Sequence, residues 1–76
     1  MKFKPADIEG LEWGTIVDRS TPALMYRVEI TWALDRYRIE VYRLDCRMQS
    51  TTAWYIRTAI KSANKFLNQY TRREKL

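Results

Sequence analysis

Arg57, Lys61 and Lys65 stand at four-residue intervals, and no Asp or Glu lies between Asp45 and Glu74. If that stretch is helical, the three cations share one face, because residues four apart are neighbours on a helix surface. Asn64 and Asn68 fall beside them, and Arg72 and Arg73 extend the positive charge toward the C-terminus. A row of one sign suits phosphates. Each contact displaces condensed counterions and carries no base preference. The chemistry points to a nucleic acid, or to an acidic surface on a protein that handles one. Like charges at this spacing cost ~0.2–0.5 kcal/mol per pair, and a merely solvated face usually mixes signs. The terminal cations have a simpler account, since the helix dipole favours positive charge in its last turn by ~0.3–1 kcal/mol each.

The charge map is lopsided. Residues 1–49 carry eight basic and eight acidic side chains, whereas residues 50–76 carry six basic ones against Glu74 alone. The whole net charge of +5 therefore sits in the C-terminal third.

Catalytic readings find little support. There is no histidine, so the commonest general base and metal ligand is missing. Cys46 is the only cysteine, which rules out a disulfide within the chain and a thiolate metal cluster. Gly10 and Gly14 are the only glycines, so no glycine-rich phosphate loop exists, and no Cys–His or Ser–His pair can form. We expect a non-enzymatic chain with no metal and no cofactor. No apolar run approaches the ~20 residues needed to span a bilayer, and the first ten residues lack a signal-peptide core. With a lone cysteine, this predicts a cytoplasmic protein with no membrane contact.

The elements that must position the row are read from periodicity. "YRVEITWALDRYRIEVYRL", residues 26–44, is rich in β-branched and aromatic residues, which lose side-chain freedom in a helix. Folded about a four-residue loop at Ala33–Arg36, it places Trp32 opposite Tyr37, Ile30 opposite Ile39 and Val28 opposite Val41, all on one side. A one-residue slip would turn every one of them to the other face. The opposite side pairs Glu29 with Glu40, a like-charge match. Beyond Val41 the apolar phase changes to Tyr42, Leu44, Cys46 and Met48. A bulge near Val41–Tyr42 would bring Tyr26 opposite Leu44 and Leu24 opposite Cys46.

Upstream, Leu11 to Arg19 reads as a weaker strand, and residues 1–10 as an N-terminal arm pinned by Phe3 or Ile8. Downstream, Ser50, Thr51 or Thr52 can cap a helix running from Thr51 to Tyr70. Its core stripe would be Ile56, Ala59, Ile60, Ala63, Leu67 and Tyr70. Trp54, Tyr55 and Phe66 cannot all face that core, which makes them candidates for a protein interface. The expected fold is α+β: a three-stranded antiparallel β-meander packed against one C-terminal amphipathic helix, β-β-β-α. One domain spans residues 11–76 and ends in a basic tail, 71–76.

That layout is similar in element order to plant AP2-type and some integrase arm-type DNA-binding domains, and to the C-terminal part of double-stranded-RNA-binding domains. The glycine-rich sheet turns of those families are missing, and the likeness stops at the layout. The expected function is a small basic module in a nucleic-acid context, with Arg57, Lys61, Asn64, Lys65, Asn68, Arg72 and Arg73 as the contact set. The alternatives are a phage or mobile-element inhibitor or adaptor that docks on a host protein, such as a CRISPR complex, and a self-associating subunit. Seventy-six residues bury a small core, which favours a homodimer.

Overall fold

The computed structural model describes residues 2–75. Four strands, β1 (Ile16–Ser20), β2 (Arg27–Ala33), β3 (Arg36–Arg43) and β4 (Cys46–Ala53), form one antiparallel sheet in sequence order. A short helix α1 (Pro5–Ile8) precedes them, and α2 (Ile56–Glu74) follows. The fold is α+β, with α2 covering one face of the sheet.

The central hairpin has the register that side-chain pairing predicts. Trp32 faces Tyr37, Ile30 faces Ile39 and Val28 faces Val41. The Trp32 and Tyr37 rings lie 4.7 Å apart between centroids. Glu29 does stand opposite Glu40, and each finds its own cation: Arg27 at 2.6 Å and Arg47 at 3.2 Å. The connecting turn is tighter than expected. Ala33 pairs with Arg36, leaving two residues, Leu34 and Asp35, between the strands. Leu34 adopts φ 62°, and only this first central residue is left-handed, the φ pattern of a type II′ turn that usually takes glycine.

The strand count corrects the three-stranded expectation. Ser50, Thr51 and Thr52 are not helix caps; they lie in β4, opposite Glu40, Ile39 and Arg38. Thr51 and Thr52 are β-branched and extend readily, and pairing satisfies the free edge of β3. The strand was illegible because Ala53 is its one buried residue, so it carries no apolar alternation. In consequence α2 begins at Ile56 and ends at Glu74, later at both ends than the expected Thr51–Tyr70. Trp54 and Tyr55 precede it, and residues 71–74 of the expected tail are helical.

The phase change beyond Val41 also has a different cause. The β2–β3 ladder ends at Arg27 opposite Tyr42, so Tyr26 does not reach Leu44, nor Leu24 Cys46. The chain turns at Leu44–Asp45 instead. The irregularity falls in the β3–β4 ladder, where Val41 faces Gln49 and Tyr42 faces Arg47, leaving Met48 as the extra residue.

The core lies between sheet and α2. Val28, Ile30, Ile39 and Val41 from the sheet meet Ala59, Ile60, Ala63, Phe66, Leu67 and Tyr70 of the helix. Phe3 and Ile8 are both buried in the same cluster. Two devices tie the chain ends down. The Asn64 side chain clamps the Phe3 backbone, accepting from its N–H at 2.8 Å and donating to its carbonyl at 3.0 Å. Glu74 accepts from the Thr21 hydroxyl and from the N–H groups of Ala23 (3.1 Å) and Met25 (3.0 Å), closing the β1–β2 turn. Burial of Glu74 works against its charge, but these three donors outweigh it and hold the carboxyl below its ordinary value. Among the described residues no helix is long and apolar enough to cross a membrane.

Candidate nucleic-acid interface

The outer face of α2 follows from the helical period. At 100° per residue, Arg57, Lys61, Lys65, Asn68 and Arg72 fall within about 80° of arc, opposite the buried stripe. The row rises roughly 22 Å from Arg57 to Arg72 at 1.5 Å per residue. Arg57, Lys61, Lys65, Asn68 and Arg72 are all exposed. A shallow groove of about 690 Å³ runs along this face, lined by Lys61, Asn64, Lys65, Asn68, Gln69 and Arg72.

The row is set apart by being continuous and of one sign, since Arg38 and Arg43 of β3 also lack ion pairs among the described residues. Among the described residues Arg19 pairs with Asp7, Arg27 with Glu29, Arg36 with Asp35 and Arg47 with Glu40. Every one of these cations lies outside α2. Arg57, Lys61, Lys65 and Arg72 form no ion pair among the described residues. Helix α2 has no acid in its first turn and no side-chain cap at Tyr55, and its one acid, Glu74, is engaged by Thr21, Ala23 and Met25.

Two members of the expected contact set serve elsewhere. Asn64 is half-buried and has both ends of its amide engaged by Phe3. Arg73 lies over the rings of Tyr70 (5.0 Å) and Tyr26 (5.8 Å), which themselves pack at 4.8 Å, so it closes the core beside the Glu74 clasp. Of the expected protein-interface trio, Phe66 is corrected: at 7% exposure it belongs to the core. It lies on the same arc as Ala59 and Ala63, where small neighbours leave room for a ring. Trp54 is 58% exposed with Arg36 stacked over it at 4.5 Å, and Tyr55 is 73% exposed.

The row has two borders. On one side the Asn64 clamp brings the arm alongside, so the exposed Lys2 and Lys4 flank it. On the other side a second hollow of about 350 Å³ separates α2 from β4, with Gln49, Ser50 and Thr51 facing Ser62, Lys65 and Gln69. Sequence reasoning overlooked this cleft because Ser50 and Thr51 of its strand half read as the start of the helix. Gln69, one turn beyond Lys65, was findable from spacing alone.

The uncovered face of the sheet mixes signs, with Arg27, Arg38 and Arg47 standing among its carboxylates. Asp18, Glu29 and Glu40 stand side by side across β1, β2 and β3. Glu40 is buried and bonded to Arg47. Burial, with Glu40 and Glu29 close by, pushes the Tyr42 phenol above its ordinary value. A phosphate approaching this face meets both signs, with Glu29 and Glu40 already paired to Arg27 and Arg47; one approaching the outer face of α2 meets a row of one sign. No known protein family, curated protein or solved structure matches the chain.

Proposed function

We propose that this chain is a non-enzymatic binding module that engages the phosphates of a nucleic acid through the outer face of α2. Arg57, Lys61, Lys65 and Arg72 make the charged contacts, Asn68 supplies a neutral donor between them, and Lys2 and Lys4 widen the positive field. One observation carries this reading: every ion pair among the described residues uses an arginine outside α2, while the α2 row is left without an acid. Keeping like charges four apart is unfavourable for the isolated helix, and a polyanion reverses the sign of that term. The sheet face, where Glu29 and Glu40 are paired with Arg27 and Arg47, offers no comparable row of one sign.

The test is a salt titration. Binding of a labelled duplex, followed by fluorescence anisotropy, should weaken with a slope of log affinity against log salt of about −0.9 per phosphate contact. Replacing Lys61 and Lys65 together by Gln should flatten that slope by roughly two and weaken all sequences alike. Absence of binding at low salt would overturn the proposal.

A second reading, an inhibitor or adaptor docking on a protein that handles nucleic acid, is favoured by one end of the sheet. Leu34 is 75% exposed at a left-handed turn position, and Trp54 and Tyr55 project from the same end. Trp13, 69% exposed, joins them because the Gly14 N–H donates to the Trp32 carbonyl at 2.7 Å. Apolar side chains so presented suit the centre of a protein interface.

A further inference from the structure

We infer that the cleft between β4 and α2 receives one unpaired nucleotide of a strand whose phosphates lie along the α2 row, so that the ligand class is single-stranded nucleic acid. This rests on the phosphate reading above. Continuity comes first: Lys65 and Gln69 line both the groove of the row and the cleft, so a strand on the row passes the cleft mouth. The volume, about 350 Å³, lies at the lower end of small-ligand sites, ~300–1,000 Å³.

The lining suits a base or sugar better than a phosphate. Apart from Lys65 it consists of hydroxyls and amides, from Ser50, Thr51, Ser62, Gln49 and Gln69, with the Phe66 ring as an apolar wall. The Tyr70 hydroxyl donates to Gln49 Oε1 at 3.0 Å, which leaves Nε2 of that amide as a donor with no partner among the described residues. Strand β4 is also an edge, so alternate backbone N–H and C=O groups on its outer side are unpaired. A duplex turns its bases inward and presents nothing to such a cleft. An unpaired base can swing out, and it has polar edges for the amides and an apolar face for the ring.

The phosphate row alone predicts the reverse preference. Duplex has the denser charge and the steeper salt slope, about −0.9 per contact against −0.7 for single strands. A tighter single-strand complex therefore isolates the cleft. We expect labelled oligo-dT or oligo-U to bind more tightly than a duplex of equal length, by roughly five- to a hundredfold for one well-seated base. The comparison of the two oligomers tells deoxyribose from ribose strands, and tighter binding of either than of duplex meets the expectation.

Ser62→Tyr, which fills the cleft, and Gln69→Ala, on the exposed surface, should each reduce that preference while leaving the salt slope unchanged. The Gln69 variant carries the test if the bulkier one fails to fold. Equal or tighter binding of duplex overturns the inference alone, as does full preference retained in a folded variant. Competition by poly-glutamate as effective as that of unlabelled oligo-dT also overturns it, since a polyanion without bases would then suffice. If neither nucleic acid binds at low salt, the phosphate reading fails first and the inference with it.

Discussion

Phe3→Ala tests whether the N-terminal arm is part of the folded unit. Phe3 is 2% exposed, packs in the same cluster as Ile8 and the α2 stripe, and has its backbone clamped by Asn64. Burying a phenylalanine side chain contributes ~1.5–3 kcal/mol by transfer, and with the cavity left behind the substitution typically costs ~3–5 kcal/mol. A core of this size rarely supplies more than ~3–5 kcal/mol in total. The variant should therefore be largely unfolded at room temperature. Asn64→Ala offers a graded companion. It removes two hydrogen bonds, each with a net contribution of ~0.5–1.5 kcal/mol, and should lower the melting point by roughly 4–20 °C. Urea titration followed by circular dichroism reads both, and a double-mutant cycle of Asn64→Ala with the milder Phe3→Leu should show coupling, since the clamp acts by holding Phe3 in place. If Asn64 is a clamp rather than a phosphate ligand, its variant keeps the parental salt slope. An unchanged urea midpoint in Phe3→Ala would refute the argument. So would an Asn64→Ala variant of full stability and reduced nucleic-acid affinity.

Three further outcomes follow from the same structure. Ile30→Ala, at a fully buried position between Val17 and Ile39, should cost ~2–5 kcal/mol, and a parental melting point would remove Ile30 from the core. Glycine at the left-handed positions Leu34 and Leu44 relieves ~1–2 kcal/mol of strain each against ~0.4–1 kcal/mol of unfolded-state entropy. The double variant should show a modestly higher urea midpoint, and a lower one would mean that these exposed leucines hold native contacts. Because the Glu74 carboxyl is depressed in the fold, its contribution is complete above the ordinary carboxylate pKa and fades as pH falls through the lower folded value. The stability gap between parent and Glu74→Gln should thus be constant near neutrality and close below about pH 4, whereas a gap independent of pH would exclude the ionised clasp.

The hairpin was legible because its signal is local and redundant. Val28, Ile30 and Trp32 match Val41, Ile39 and Tyr37 in one register only, and burial of one face makes the alternative register costly. The face of α2 that carries Arg57, Lys61 and Lys65 was legible for the same reason, since a core stripe of period 3.6 fixes where the opposite side must be. Strand β4 escaped because an edge strand buries so little. With Gln49 and Thr51 on the core side, its alternation is polar against polar, and only the unsatisfied edge of β3 calls for it.

The long-range choices belong to the tertiary structure alone. Nothing local to Asn64 distinguishes it from Asn68, yet one holds the backbone of Phe3 across sixty-one positions of sequence while the other faces solvent. Arg73 and Arg72 are adjacent and chemically identical, but a turn of 100° puts one over Tyr26 and Tyr70 and the other on the groove. Residue types and periodicity state which groups are available and which face they share. Whether a polar side chain is free or spent depends on what the rest of the chain brings within about 3 Å of it, and that is a property of packing.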